Sequence, residues 1–298
     1  MAESAGSVME MEMGRMELGG GRWELGQEIG GDEEALKRRY RTFRAREVGG
    51  HRWRKVVKLA LDKGPQSALA QEIAVLKTAQ LRRNKNRGCV AELWDCGEMD
   101  GRLWLVREGL GRPLSAATGR DPPAVLKELR HALAALEELH LMGFLAAGAL
   151  GGQSFCWKLD SSRASLEGDA EEARLVLGEL SRSRPLAAPG PSAEADWPLG
   201  GLLGPGLEYG RRDDLLGMLA WAAGATGTGL PWEGLPREEA AWLKWVLPPA
   251  VHLPRLPPHL ALVWRRLARL SPQQPPDYAA LQSLLKEAID HSSSSSPV

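Results

Sequence analysis

Few residues of this 298-residue chain combine the types and the spacing that chemistry requires, and the first two are a lysine and a glutamate. Lys58 follows Val56 and Val57 in an apolar run, and Glu72 lies on a later segment with helical periodicity. A lone lysine in a strand is usually structural or exposed to solvent, so Lys58 by itself is weak evidence for catalysis.

A glycine pair followed by three carboxylates is the second arrangement. Gly30 and Gly31 come at the end of a predicted strand, and Asp32, Glu33 and Glu34 follow directly. Glycine-rich loops bind phosphates through backbone amides, with small residues and no negative charge nearby. These three carboxylates would repel a polyphosphate. An ordinary acidic hairpin tip and active exclusion of ATP explain the segment equally well, and both predict poor nucleotide binding.

Composition excludes several classes of function. The formal net charge is zero, which argues against bulk attraction to nucleic acid or to an acidic membrane. The three cysteines, Cys89, Cys96 and Cys156, cannot form a disulfide framework, and they predict a reducing compartment and no metal site. The first residues lack the basic start and apolar run of a signal peptide. We expect a nuclear or cytoplasmic protein.

Six predicted strands and two predicted helices are the elements that must position these residues. Alternating or continuous apolar runs predict strands, and apolar residues at helical spacing predict helices. The predicted strands cover residues 23–29, 56–59, 91–97, 102–107, 155–159 and 174–180, and the predicted helices cover residues 67–81 and 122–141. An Asp100-Gly101 turn joins the fourth strand to the third.

The helix over residues 122–141 has the clearest signals. Asp121 is a suitable N-cap, two prolines occupy the first turn, and an apolar stripe runs from Val125 to His140. His140 ends that stripe. We therefore interpret His140 as a packed core histidine and not as a catalyst.

Two further segments allow alternative interpretations. Residues 215–232 carry no charge and approach the length of a membrane span, but their glycines, Pro231 and threonines favour a buried helix followed by a turn. Residues 37–55 contain nine lysines and arginines with Tyr40, Phe43 and Trp53 among them. Such a mixture can bind nucleic acid. The zero net charge favours a two-stranded ribbon whose alternate residues face water.

Residues 136–155 resemble the catalytic loop of protein kinases. In that loop a helix ends in Leu-His-x-x-Gly-Phe-Ile and is followed by His-Arg-Asp and, five residues after the Asp, by a metal-binding Asn. The helix end is retained, whereas the reactive residues are not. The lead-in matches at Leu139, His140, Gly143 and Phe144, and the reactive positions hold Ala146, Ala147, Gly148 and Gln153.

Other positions that hold reactive residues in kinases also hold unreactive residues in this chain. Gly178 stands where the magnesium-binding Asp of Asp-Phe-Gly would be, and no shift of register supplies a His-x-Asp motif. The resemblance gives Lys58 and Glu72 the positions of the phosphate-contacting lysine and its partner glutamate, and it implies an ion pair between them that alone is weak evidence for catalysis. It also places Arg107 at the gatekeeper position and Phe155 on the floor of the adenine site. The bulk of both side chains would reduce the space for a nucleotide.

The large-lobe motifs resemble the casein-kinase-1 group, and within it the vaccinia-related kinases, most of all the catalytically inactive type in that family. The residues that carry this resemblance lie in segments 211–217, 230–232, 256–270 and 275–281. It implies an α+β, bilobal protein-kinase-like fold over residues 22–290. A small β-rich N-lobe with one main helix would cover residues 22–108, and a mostly helical C-lobe would cover residues 112–290.

The same resemblance gives Asp214 a structural role, in which a buried helix aspartate braces the backbone of the catalytic loop. Residues 1–21 and the serine-rich residues 291–298 are predicted to be disordered. The chain is expected to be a monomer that binds no cofactor, metal, membrane or nucleic acid.

The function implied is that of a pseudokinase. Loss of the catalytic Asp and of both metal ligands should abolish phosphoryl transfer. The resemblance implies a signalling scaffold or allosteric regulator, with a dual-specificity phosphatase that down-regulates mitogen-activated kinases, or active kinase relatives, as protein partners. Two alternatives stay open: a nucleotide sensor without chemistry, and a weak kinase-like enzyme that uses Glu179 or Lys58.

Overall fold

A computed structural model gives the architecture of the chain as a mixed α+β protein that divides into two compact units. The first unit comprises Met1–Leu69 and Leu93–Gly109, and the second comprises Ala70–Glu92 and Leu110–Val298. The structure describes residues 17–18, 20–30, 39–63, 68–82, 88, 90–114, 117–147, 154–158, 175–186, 209–227, 235–236, 239, 243 and 258–294.

The first unit is built on one antiparallel sheet. Its strands are β1 (Glu17–Leu18), β2 (Trp23–Glu28), β3 (Tyr40–Glu47), β4 (Lys55–Lys63), β5 (Leu93–Met99) and β6 (Arg102–Glu108). They are ordered β1-β2-β3-β4-β6-β5. The described part of residues 37–55, predicted as a two-stranded ribbon, holds the single strand β3, which pairs with β4. The β5–β6 pairing confirms the predicted hairpin. Asp100 and Gly101 both have positive φ, at 52° and 77°, which suits a tight two-residue turn.

This sheet is strongly curled around its own core. Trp23 Nε1 on β2 donates to Asp95 Oδ2 on β5 at 2.8 Å, although three strands lie between them in the sheet. A flat sheet would separate β2 and β5 by about 19 Å. The enclosed face buries seven residues: Leu18, Trp23, Ala45, Val57, Leu59, Trp104 and Val106.

Helices dominate the second unit. They are α1 (Ala68–Leu81), which begins two residues before the unit boundary, α2 (Pro122–Leu141), α3 (Arg211–Thr226), α4 (Pro258–Ala268) and α5 (Tyr278–Ser294). Helix α2 packs against α3 and α5, and α4 packs against α3 and α5. Helix α3 is buried along nearly its whole length, as the uncharged stretch predicts. Of the helices that the structure describes, none has the length and apolar character to cross a membrane.

Two short strand pairs complete the described part of this unit. Strands β7 (Phe144–Leu145) and β10 (Arg184–Pro185) pair antiparallel, and β8 (Phe155–Trp157) pairs with β9 (Leu175–Leu177). The sequence predicts β8 and β9, but not β7 or β10. Two-residue strands have no periodicity to detect, and β10 lies in a stretch predicted to be irregular.

Helix α1 groups almost entirely with the second unit, where Arg82 after its end donates to the Leu141 carbonyl at 2.7 Å. Helix α5 extends as far as Ser294. Serine costs only a few tenths of a kcal/mol in a helix, and α5 is anchored just before by buried Leu285 and Ile289.

Candidate functional site

A buried carboxylate, Asp214, organises the polar centre of the second unit. It lies in the first turn of α3 with no exposed surface. Its Oδ2 accepts from the Ala146 amide at 2.8 Å, and its Oδ1 accepts from the Ala147 amide at 3.1 Å. The Asp214 carboxylate therefore fixes the backbone that follows β7. This bracing contact is the one that the resemblance implies for Asp214.

His140 connects the end of α2 to the same carboxylate. Its Nε2 lies 2.8 Å from Asp214 Oδ2, and its Nδ1 contacts the Tyr278 hydroxyl at the start of α5. A carboxylate can only accept, so Nε2 donates to Asp214, and Nδ1 shares a hydrogen bond with the Tyr278 hydroxyl. His140 is buried. This arrangement uses both ring nitrogens for structure, since α2, α3 and α5 meet at one imidazole.

Tyr209 completes the set of donors around Asp214. Its hydroxyl donates to Asp214 Oδ1, and burial and the Asp214 charge raise the pKa of this phenol well above its usual value. The Arg184 guanidinium lies 4.8 Å from the centre of the Tyr209 ring and donates to the Tyr209 carbonyl at 3.2 Å. Tyr209 thus stays protonated, and strand β10 is held to the residues that lead into α3.

Asp213, the residue before Asp214 in α3, has a separate role. Its carboxylate accepts from the Gly210 amide at 2.8 Å and so caps the start of α3. Burial raises the pKa of Asp213 to about 6, against the opposing effects of the Gly210 hydrogen bond and the Arg212 charge. Near neutral pH this carboxylate is ionised, and because it is buried, its ionisation lowers the stability of the folded state.

The positions expected to hold reactive groups carry none in the described part of the loop. Ala146 is fully buried, and Ala147 has φ of 46°, in the left-handed region. Gly148 and Gln153 lie outside the described residues, as do Asp32, Glu33 and Glu34. The phosphate-repelling role of those three carboxylates therefore stays a prediction.

Gly178 is closely packed. A Cβ built there would lie 3.0 Å from Cys156 Sγ and 3.1 Å from Leu110 Cδ1, closer than ordinary contact. Its amide donates to the Ser154 carbonyl at 2.8 Å, which fixes the backbone just after β9. Any side chain at residue 178 would require the ends of the Cys156 and Leu110 side chains to shift by a few tenths of an ångström.

The remaining predicted site residues are divided between the two units. In the first unit Lys58 is buried, with Nζ 3.3 Å from the Tyr40 hydroxyl, and buried Arg107 donates to the Glu108 carbonyl at 3.2 Å. In the second unit Glu72 and Phe155 are fully buried. The predicted Lys58–Glu72 pair and the blocking roles of Arg107 and Phe155 stay predictions.

Sequence reasoning did not identify the tyrosines of this site. The chain contains only three tyrosines, and each hydroxyl contacts a buried ionisable group: Tyr40 with Lys58, Tyr209 with Asp214, and Tyr278 with His140. Tyrosine is scarce here beside eleven tryptophans, and that contrast was the available signal.

The hydrogen bonds around Asp214 position backbone segments and helices. Within the described ranges, no group of three or more His, Cys, Asp or Glu side chains could hold a metal ion. The buried donors and acceptors around Asp214 are directed at each other.

Comparison of the chain with protein-family models and with curated protein sequences found no match.

Proposed function

We propose that this chain is a pseudokinase with a bilobal protein-kinase-like fold, which acts as a signalling scaffold or allosteric regulator. The order of elements supports this fold: an antiparallel sheet with a helix after its fourth strand, then a helix, two short strand pairs and further helices. The contacts of Asp214 with the backbone after β7 also support it, since they serve the loop that resembles the catalytic loop.

The observation that carries the proposal is the closed position at Gly178. Phosphoryl transfer depends on magnesium held by carboxylate and amide side chains and on a group that orients the nucleophile. The matching positions hold Gly148, Gln153 and Gly178, and the last of these is closely packed by Cys156 and Leu110. A side chain introduced at Gly178 would have to move both neighbouring side chains before it could act as a metal ligand.

The frame around these positions is maintained while the reactive groups are lost. Asp214, His140 and Tyr278 hold three helices at one buried centre. A fold that is maintained without its reactive groups would act through the surface that it presents to other proteins. This is the basis of the scaffold proposal. The resemblance implies the partner class: a dual-specificity phosphatase that down-regulates mitogen-activated kinase signalling, or active kinase relatives, in the nucleus or cytoplasm.

A variant with the kinase residues restored tests the proposal. We expect the triple substitution Gly148→Asp, Gln153→Asn and Gly178→Asp to fold less stably than the parent chain and to transfer no phosphate from ATP with magnesium. The control is the double substitution Gly148→Asp and Gln153→Asn, which leaves Gly178 unchanged. Recovered transfer in the triple variant with undiminished stability would contradict the closed position.

Nucleotide binding separates the scaffold from a nucleotide sensor. We expect the melting temperature of the parent chain to be unchanged across millimolar ATP, with or without magnesium. A bound ligand stabilises the folded state in proportion to the logarithm of its concentration over its dissociation constant. A saturable rise of several degrees that Lys58→Ala removes would support the sensor instead.

A further inference from the structure

Positive charge is concentrated on the β3–β4 ribbon of the first unit. Residues 39–63 contain nine lysines and arginines against two carboxylates, Glu47 and Asp62, in a chain whose formal net charge is zero. Most of these cations lie on two neighbouring antiparallel strands and the connection between them. Like charges held this close repel one another, and nearby carboxylates or a bound anion reduce that repulsion.

Carboxylates of the same unit neutralise part of this charge. Arg46 makes a two-pronged pair with Glu24, at 2.8 Å and 3.0 Å, and Arg41 makes a similar pair with Glu28. Both glutamates lie on β2, beside β3 in the sheet. These pairs serve to join β2 to β3, so neither Arg41 nor Arg46 is available to an outside ligand.

Three exposed arginines of the ribbon have no such partner among the residues that the structure describes. Arg44, Arg52 and Arg54 are exposed, and no carboxylate within the described ranges pairs with them. Arg44 is opposite Val56 in the ladder, and the Arg54 carbonyl accepts from the Gly109 amide at 2.8 Å, which continues the β4–β6 ladder. Residues two apart on a strand share a face, so Arg54 lies on the face that carries Arg44.

Arg52 is exposed in the connection that precedes β4. The Arg54 amide donates to the Arg52 carbonyl at 3.0 Å, which keeps the two residues close. We define Arg44, Arg52 and Arg54 as the arginine surface. Guanidinium groups present a planar fork of donors that matches a carboxylate or a phosphate, so the surface suits anions of either kind.

The aromatic rings near the arginine surface do not suit base stacking. Trp53 and Trp94 are 38% and 40% exposed, but each already has a cation over its ring: Arg46 at 4.5 Å and Lys55 at 2.9 Å from the ring centres. Trp53 also packs against Gly26. Proteins that bind single strands use open aromatic faces. A base stacked on the face that carries the cation would have to displace it, which favours a peptide over a nucleic acid.

We propose that the arginine surface binds an acidic peptide segment of a partner protein. The inference adds the chemistry of a partner to the proposed scaffold role. It rests on the charge distribution of the first unit and not on the loss of phosphoryl transfer. The two proposals therefore fail separately, since the arginine surface can be tested without any nucleotide.

Fluorescence anisotropy of the full chain with a labelled peptide of alternating glutamate and serine tests this proposal. We expect binding that weakens with salt, and about a tenfold loss in affinity when Arg44, Arg52 and Arg54 are all changed to Gln, the effect of three exposed ion pairs. Changing the same residues to Lys keeps the charge and should cost less. A matching peptide of glutamine and serine should not bind.

The matched control removes the same charge from another surface. Arg265, Arg266 and Arg269 are exposed on and just after α4, and their triple change to Gln should leave the affinity unchanged. Thermal melting shows whether each triple variant is folded. Equal losses in both triple variants, or no binding at low salt, would overturn the proposal. Tighter binding of an oligothymidine that depends on the arginine surface would assign it to nucleic acid.

Discussion

Gly178 gives the proposed loss of catalysis its clearest physical basis at the level of single residues. Its packing predicts that even the smallest side chain is unfavourable there. We expect Gly178→Ala to lower the free energy of unfolding by about 1–3 kcal/mol, because the new methyl group would overpack against Cys156 and Leu110. Urea denaturation measures this change.

Two further variants show whether Cys156 causes that effect. Gly88→Ala is the control, since a Cβ there would meet only the Val90 carbonyl, at an ordinary 3.8 Å. Cys156→Ala removes the sulfur nearest to residue 178, so the double variant should lose less stability than the two single changes together. Strict additivity of the two changes would contradict the packing explanation.

Asp213 predicts a pH dependence of opposite sign to that of an ordinary surface carboxylate. Its pKa rises from 3.8 to about 6 on folding, mainly through burial. The folded state therefore binds the proton more tightly than the unfolded state does. The stability that this group contributes is complete below about pH 4 and is lost as the pH rises to about 6.

Asp213→Asn isolates this contribution. The amide oxygen can still accept from the Gly210 amide, but no buried charge forms as the pH rises. Arg212, Asp214 and Arg184 also act on the pKa of Asp213, and all three residues are the same in the parent and the variant. We expect the variant to gain up to about 2–3 kcal/mol relative to the parent between pH 4 and pH 7. A pH-independent difference between the two chains would contradict the raised pKa.

At the scale of the elements, α2 shows how far local sequence determines structure. The Asp121 carboxylate accepts from the Ala124 amide at 3.3 Å, and prolines occupy the first turn, as predicted. We expect Asp121→Ala to cost about 1 kcal/mol of stability through the loss of this cap. Glu287→Ala on the exposed side of α5 is the control and should have little effect. Equal losses in the two variants would mean that the cap contributes nothing.

The elements that the sequence predicted and those that it missed differ in their length. Strands β2 to β6 and helices α2 and α3 have enough residues for a periodic pattern or for a specific turn and cap. The β7–β10 pair has two residues a strand and is held by tertiary contacts, such as Arg184 with Tyr209. Those contacts join residues distant in sequence, so no local pattern indicates them.

The candidate site was only partly accessible to sequence reasoning for the same reason. Motif spacing identified Asp214 and His140, because each follows recognisable neighbours in the chain. Tyr278 is 138 residues from His140, and the closed packing at Gly178 depends on Leu110 and Cys156, which come from other segments. Their roles follow from the packing of the second unit, which the sequence pattern does not reveal.

At the scale of the whole molecule, the two units have different tasks in this account. The second unit keeps a buried polar centre that joins helices α2, α3 and α5, and the positions of the reactive groups hold alanine and glycine. The first unit has a curled sheet with an arginine-rich ribbon. Both features are compatible with the proposed scaffold role, in which the function would lie in the surface of the protein.

Transfer of labelled γ-phosphate from ATP tests the central claim most directly. The parent chain would be assayed at high concentration with magnesium and with manganese, against itself and a general acceptor protein, beside the Lys58→Ala variant purified in the same way. We predict the same background incorporation for both chains, because the metal-ligand and catalytic positions lack the required groups. Incorporation by the parent chain that Lys58→Ala abolishes would contradict the account.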